Sequence, residues 1–157
     1  MSELNEPITN ETPAAEEPTP PASDSILNLV TEAVMDMIDA MNNFAEITKG
    51  ALGIGNSLSC EVAPSVTESV FMDKNSYIPL TLAINGKHDD LRVLSDTLNN
   101  IVDTLTRKKE YTYGNGWEIV DITVGNFPRV IGREDNNQWV MACDVVIKIY
   151  RKDEETA

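Results

Sequence analysis

Hydrophobic residues recur at helical spacing in two segments of the chain. From residue 26 to about residue 48 they repeat every three or four positions, and residues 23–25 offer N-caps. From residue 88 to residue 109, six of them form one stripe along a helix: Leu91, Leu94, Leu98, Ile101, Val102 and Leu105. The pattern predicts two amphipathic helices, the first ended by the glycines at 50, 53 and 55.

Alternating apolar and polar positions predict strands in the first half of the chain. Residues 57–66 alternate weakly, with Leu58, Cys60 and Val62 on one face and Pro64 near the end. Residues 70–72 and 78–84 are predicted strands around a turn at 73–76. Pro79 has no N–H to donate, so it favours an edge or a bulge.

The C-terminal third predicts two further strands. One begins at Trp117 after a turn at residues 114–116, with Val120, Ile122 and Val124 on one face. The other, residues 138–150, is the strongest, because alternate positions form an unbroken apolar face. Its length, about 40 Å at roughly 3.3 Å per residue, suggests a strand that reaches beyond its own subunit's core.

These elements predict an α+β fold. It is a mostly antiparallel β-sheet packed against two main α-helices, with long C-terminal strands. Residues 1–24 hold five of the eight prolines and six acids without a Lys or Arg. We therefore expect a disordered acidic arm over 1–24, a single domain over 25–152, and a short acidic tail over 153–157.

Charge and cysteine content narrow the classes of function. The chain has 26 acids against 12 bases, a net charge of −14, which disfavours ordinary nucleic-acid binding. The two separated cysteines indicate reduced thiols in a cytosol-like compartment. We expect no secretory signal and no membrane span, because the sequence has no long apolar run.

The segment GREDNNQ, residues 132–138, clusters acids and amides between two predicted strands. Asp135, Asn136 and Asn137 favour turns because their side chains bond to the local backbone. The spaced acids and terminal Glu of a calcium loop are missing. Glu134 and Asp135 are adjacent and have no histidine nearby. The segment therefore predicts a turn, with a loop that contacts a partner as the alternative.

Catalytic and cofactor motifs are not recognisable, so we expect neither an enzyme nor a cofactor. The one histidine, His88, is predicted to be a solvated residue at a helix start. No Cys/His cluster suits zinc, and the glycine-rich residues 50–57 lack the lysine of a P-loop.

Several stretches together resemble the tail-terminator proteins of long-tailed bacteriophages, also called minor capsid or tail-completion proteins. The stretches are IPLTLAINGKHDDLRVLSDTLNNIVDTL, WEIVDIT, FPRVIGREDNNQWV and a strand that closes in IYRK. They cover about residues 58–152. The acidic arm has no recognisable counterpart in that family.

The resemblance implies a virion protein of the tail or neck, assembled in the host cytoplasm as a homo-oligomer in the form of a hexameric ring. Such a ring would stop growth of the tail tube and join it to the head-tail connector or stopper protein. DNA would pass through the lumen without sequence-specific binding, and no membrane or catalysis would be involved. The candidate interaction residues are Arg129, Arg133, Glu134, Asp135, Asn136, Asn137, Asp73, Lys74, Trp117 and Trp139.

Three alternatives remain open. Another neck, head-completion or tail tube protein shares the acidity and the β-content. A small α+β module could hold an apolar ligand between a helix and the sheet. An enzyme would need a site assembled from Asp or Glu alone.

Overall fold

The computed structural model describes residues 25–63, 69–70 and 75–152. The predicted arm at 1–24, the tail at 153–157 and the turn residues Asp73 and Lys74 lie outside that part of the chain. Its elements, in order, are α1 Ile26–Asp39, β1 Ile47–Lys49, β2 Ser57–Ala63, β3 Ser69–Val70, β4 Ser76–His88, α2 Leu91–Thr106, β5 Tyr113–Gly114, β6 Trp117–Arg133 and β7 Trp139–Arg151.

The described strands form one sheet in the order β1-β2-β4-β7-β6-β5, with β3 beside β4. Only β1 and β2 pair in parallel among them, and every other described pairing is antiparallel. The fold is therefore α+β with a mostly antiparallel sheet, as the sequence predicts.

Helix α2 lies on the sheet with its predicted stripe buried. Asp90 caps its start by accepting the backbone N–H groups of Arg92 and Val93. The buried side chains of α2 are Leu94, Leu98, Ile101, Val102 and Leu105. They share one core with the apolar residues of β2, β4, β6 and β7. The helix is stable here because its apolar face leaves water against the sheet.

Helix α1 ends about nine residues earlier than the pattern predicts. After Ala40 the chain turns, and Asn42 takes a left-handed conformation with φ 58°. The Asn43 side chain then donates to the Ile38 carbonyl over 2.9 Å, and Asp39 accepts the Ile47 N–H over 2.9 Å. Met41 and Phe44 pack on the same core from a loop, so their apolar spacing imitated a longer helix.

Helix α1 shares the core of α2. Its buried apolar residues, Val30, Val34 and Ile38, belong to the same cluster as the stripe of α2. The helix contacts β1 and α2. The two helices therefore form one layer, with α1 toward the β1 edge of the sheet. None of the described helices is long and apolar enough to cross a bilayer.

The predicted inward face of β6, Val120, Ile122 and Val124, is wrong at Val120. Ile119 and Ile122 are buried, whereas Val120 is 41% exposed. The register between β6 and β7 shifts between Ile119 and Asp121, and a bulge of this kind puts an extra residue between two inward positions. The strand also runs on to Arg133, nine residues beyond Val124, the last residue of the predicted face.

Two smaller expectations concern β2 and β4. Val62 does not share the buried face of Leu58 and Cys60, since it is 46% exposed near the end of β2. Pro79 pairs with Lys148 on one side. On its other side it lies between the residues of β4 that pair with β2 and those that pair with β3. Among the described strands, Pro79 therefore occupies a local edge, as its missing N–H requires.

Candidate assembly surface

The segment GREDNNQ forms the turn of the β6–β7 hairpin. The Glu134 N–H donates to the Gln138 carbonyl over 2.7 Å, and the Asn137 N–H donates to the Glu134 carbonyl over 2.9 Å. Asn137 has φ 66°, a left-handed conformation that asparagine tolerates better than most residues. The prediction of a turn is confirmed.

Two contacts fix this turn to the rest of the domain. The Lys87 ammonium lies 3.4 Å from the Glu134 carboxylate. The Gln138 side-chain amide donates to the Asn56 side-chain oxygen over 2.8 Å. Asp135, Asn136 and Asn137 are exposed at the tip of the turn. The turn therefore presents polar side chains at one end of the sheet from a supported backbone.

The candidate tryptophans lie in different environments. Trp117 is only 8% exposed and belongs to the core, where Gly114 leaves room for its indole ring. Trp139 is half-buried, and the Arg133 guanidinium lies 4.9 Å from the centre of its ring. Trp117 is thus a core residue. Trp139 and Arg133 form a surface pair beside the turn, and Arg129 is exposed further along β6.

The outer half of β6, defined here as residues 124–133, leaves apolar side chains uncovered. Phe127 is 69% exposed, Ile131 57% and Val130 48%. From Val120 onward, no strand in the described part of the chain pairs with the outer edge of β6. By contrast, β7 pairs with β4 along its whole length. The strand that extends beyond the subunit's own core is therefore β6, and not the strand predicted at residues 138–150.

Three side chains of this outer half face the helix layer. Cross-strand partners in an antiparallel pair project to the same side of the sheet. Val124 pairs with buried Val145, and Val130 pairs with buried Met141. Phe127 lines a cleft with Val124 and the side of α2. The sheet thus extends past α2 with an apolar strip exposed.

The cleft between α2 and β6 has a volume of about 450 Å³. Val124 and Phe127 form one side of it, and α2 contributes Asn99, Asn100, Val102, Asp103, Thr106 and Arg107. The Arg107 Nε lies 2.8 Å from a carboxylate oxygen of Asp103, and both side chains are largely exposed. The cleft therefore combines an apolar floor with a polar rim. The rim includes the Arg107 guanidinium, whose exposed pairing with Asp103 can be exchanged for another partner.

Sequence reasoning named Arg129 but missed its neighbours Phe127, Val130 and Ile131. Their signal was present as large apolar residues close to a proline and two glycines in the segment VGNFPRVIG. A segment of that kind gives no clean alternation, because β6 shifts register against β7 four times. Inward and outward positions therefore could not be assigned from spacing alone.

No cluster of three or more His, Cys, Asp or Glu that would suit a metal ion occurs among the residues that the structure describes. His88 is not solvated as predicted, because its side chain is only 13% exposed and its ring lies edge-on to Phe44. Its Nδ1 accepts the Asp90 N–H over 2.9 Å at the start of α2.

The two thiols are buried in the sheet. Burial raises the pKa of Cys60 to about 11 and that of Cys143 to about 12. Both thiols are therefore protonated at neutral pH. A protonated, buried thiol is a poor nucleophile, so neither cysteine is chemically activated.

Comparison with known proteins gives a weak structural likeness. No protein-family model matches the chain, and no curated protein matches it. Twelve chains from solved structures match. One belongs to the virion of a native gene transfer agent particle, with a TM-score of 0.49 and 12% identity over 82% of this chain and 87% of that one. A likeness of this size is too weak to transfer a function.

Proposed function

We propose that this protein is a structural subunit of a phage virion, and specifically a tail terminator. In this proposal, copies of the chain form a ring, with six as the expected number, at the head-proximal end of the tail tube. The ring stops growth of the tube and joins it to the head-tail connector. The protein acts by binding to its copies and neighbours, without catalysis.

The observation that carries the proposal is the uncovered outer half of β6. Phe127 is 69% exposed and Ile131 57% exposed, beside a strand edge that has no partner among the described strands. Covering a side chain of this size contributes roughly 1.5–3 kcal/mol, which favours assembly over an isolated subunit. The sequence resemblance to tail terminators supplies the identity of the assembly.

The charge of the chain agrees with a passage for DNA. A protein with net charge −14 repels the phosphate backbone, so a ring of such subunits would not hold a passing duplex. The tip of the β6–β7 turn, with Asp135, Asn136 and Asn137 exposed at one end of the sheet, is the proposed contact with the neighbouring tail or connector protein.

Deleting the coding sequence from the genome that carries it tests this function. A tail terminator limits tube length, so the deletion should yield tubes of irregular, extended length and heads without tails. Supplying the wild-type chain in trans should restore uniform tails. Tails of normal length, attached to heads, in the absence of the chain would contradict the proposal.

The cleft between α2 and β6 supports a second candidate, a module that binds an apolar ligand. Its floor of Val124 and Phe127 is apolar, but its wall is largely polar and it opens to solvent beside Asn99 and Arg107. Under α2 itself, Leu94, Leu98 and Leu105 are fully buried against the sheet. A ligand-dependent rise in Tm of a monomeric species would favour this candidate, and subunit assembly without ligand would favour the ring.

A further inference from the structure

We propose that the cleft between α2 and the outer half of β6 receives helix α1 of a second copy of this chain, in a head-to-tail contact. This inference rests on the proposed assembly of copies, but it does not depend on where in a particle the assembly stands. It assigns the two surfaces that meet: the α2–β6 cleft of one copy and the solvent-facing side of α1 of the next.

The layout of the domain leaves room for one more helix. The helix layer begins with α1 near β1 and continues with α2, while β6 lies at the opposite side of the sheet. Val124 packs against the core beside α2, whereas the inward residues Phe127 and Val130 lie beyond the helix and stay 69% and 48% exposed. A helix from another copy placed there would continue the layer over the exposed apolar strip.

Helix α1 carries a matching apolar stripe. Ile26, Leu29, Ala33 and Met37 recur at helical spacing along one flank and are only partly buried by their own subunit. Methionine adapts readily to an irregular apolar surface. The flank would therefore cover Phe127 and Val124 while completing its own burial.

The charges of the two surfaces are complementary. The exposed side of α1 carries Glu32 and Asp36, one turn apart, and the last turn of α1 contains no base. The rim of the cleft carries Arg107, with Lys108 and Lys109 next in the chain and exposed. The Arg107–Asp103 pair is exposed and therefore weak, so Arg107 can turn toward an acid of another copy.

A symmetric contact through β6 is the main alternative, and the strand opposes it. Pro128 lacks an N–H, and β6 shifts register four times against β7, which distorts the ladder that an added strand would need. Proline, charges and bulges are the features that block edge-to-edge pairing of strands. The contact we propose uses side chains on the helix face of the sheet, and it can propagate because its two surfaces differ.

Paired cysteines test the contact in the purified full-length chain. We would combine Glu32→Cys with Asn100→Cys and treat the concentrated protein with a short bismaleimide at pH 7, where the buried native thiols are protonated. A head-to-tail contact should give a ladder of dimers, trimers and larger species. Each single variant should give no ladder, because in a head-to-tail contact residue 32 does not lie against residue 32 of the next copy, and residue 100 does not lie against residue 100.

A matched pair and a disruptive variant complete the experiment. Thr123→Cys is exposed on the other side of the sheet, so Glu32→Cys with Thr123→Cys should not link. Adding Phe127→Asp to the first pair should lower the yield of linked species about tenfold or more, as the loss of a central apolar anchor does at interfaces. Its circular dichroism spectrum should stay unchanged, because Phe127 is 69% exposed.

Three results would overturn the inference: no linked species from the first pair, equal linking from the Thr123 pair, or a ladder that Phe127→Asp leaves intact. The result is separable from the proposed function. A ladder together with tails of normal length in the deletion strain would keep this contact and reject the terminator. Extended tubes without a ladder would keep the terminator and reject this contact.

Discussion

Lys87 and Glu134 join the end of β4 to the β6–β7 turn. The Lys87 side chain is only 8% exposed, and its ammonium lies 3.4 Å from the carboxylate of Glu134, which is 43% exposed. A nearly buried cation needs a partner more than a surface carboxylate does. Glu134 therefore supports the turn, and the neighbouring Asp135 is the better candidate for contact with another protein.

Glu134→Gln should lower the free energy of unfolding by about 1 kcal/mol, because it leaves the Lys87 charge without its anion. Asp135→Asn is the matched control, since Asp135 is exposed and has no ion pair within the described residues. Urea unfolding of both variants measures the difference. Equal stabilities for the two would show that the Lys87–Glu134 pair does not support the turn.

Gly86→Ala should lower the free energy of unfolding by about 1–3 kcal/mol through overpacking. A Cβ at this position would lie 2.6 Å from Leu94 Cδ1 and 3.2 Å from Leu58 Cδ2. Gly132→Ala on β6 is the control, because its added methyl would meet nothing within 4 Å.

A double-mutant cycle identifies the clash. In Gly86→Ala combined with Leu94→Ala, the smaller side chain makes room for the new methyl, so the combined loss should be smaller than the sum of the two single losses. Strictly additive losses in thermal or urea unfolding would mean that α2 does not press on Gly86 as described.

Asn137→Val should lower the free energy of unfolding by about 1–2 kcal/mol, because a β-branched residue is strained at φ 66°. Asn137→Gly should be close to neutral, since glycine accepts this conformation. Thermal unfolding compares the two. If valine and glycine were tolerated equally, the left-handed turn would not be the conformation of this segment in solution.

Stability should fall as the pH rises above about 9. The thiol pKa is about 11 for Cys60 and about 12 for Cys143 in the fold, against an ordinary value of 9.0. Between these values the unfolded chain loses thiol protons that the folded chain keeps. Each thiol therefore lowers the unfolding free energy by up to about 1.4 kcal/mol per pH unit in that window.

The variant with Cys60→Ala and Cys143→Ala isolates the effect of the thiols. It should be less stable at pH 7 because of the smaller side chains, yet its stability should fall less steeply between pH 9 and 11. Urea unfolding across this range gives both slopes. Parallel slopes for the variant and the wild type would assign the pH dependence to other groups.

The sequence pattern predicts an element correctly where its apolar positions repeat with one regular period along the whole element. The stripe from Leu91 to Leu105 on α2 and the alternation from Met141 to Ile149 on β7 are both observed. Each element is regular along its length, and its buried positions follow from geometry alone. The turn at 134–138 was predictable for a similar reason, since Asp and Asn favour turns locally.

Pattern failed where tertiary packing changes the period. Met41 and Phe44 keep helical spacing from a loop, because the loop lies over the same core as α1. The bulge after Ile119 shifts the inward positions of β6, so Val120 faces water. The candidate assembly surface follows from such irregularities, because Phe127 is identified as uncovered only when the position of α2 is known.

The position of the chain in intact particles tests the central claim most directly. Electron cryomicroscopy of particles produced from the genome that encodes this chain should show a ring of its copies between the tail tube and the connector. Fitting should place the α2–β6 side of each copy against α1 of its neighbour. Particles with complete necks and tails that contain no copy of this chain would contradict the account.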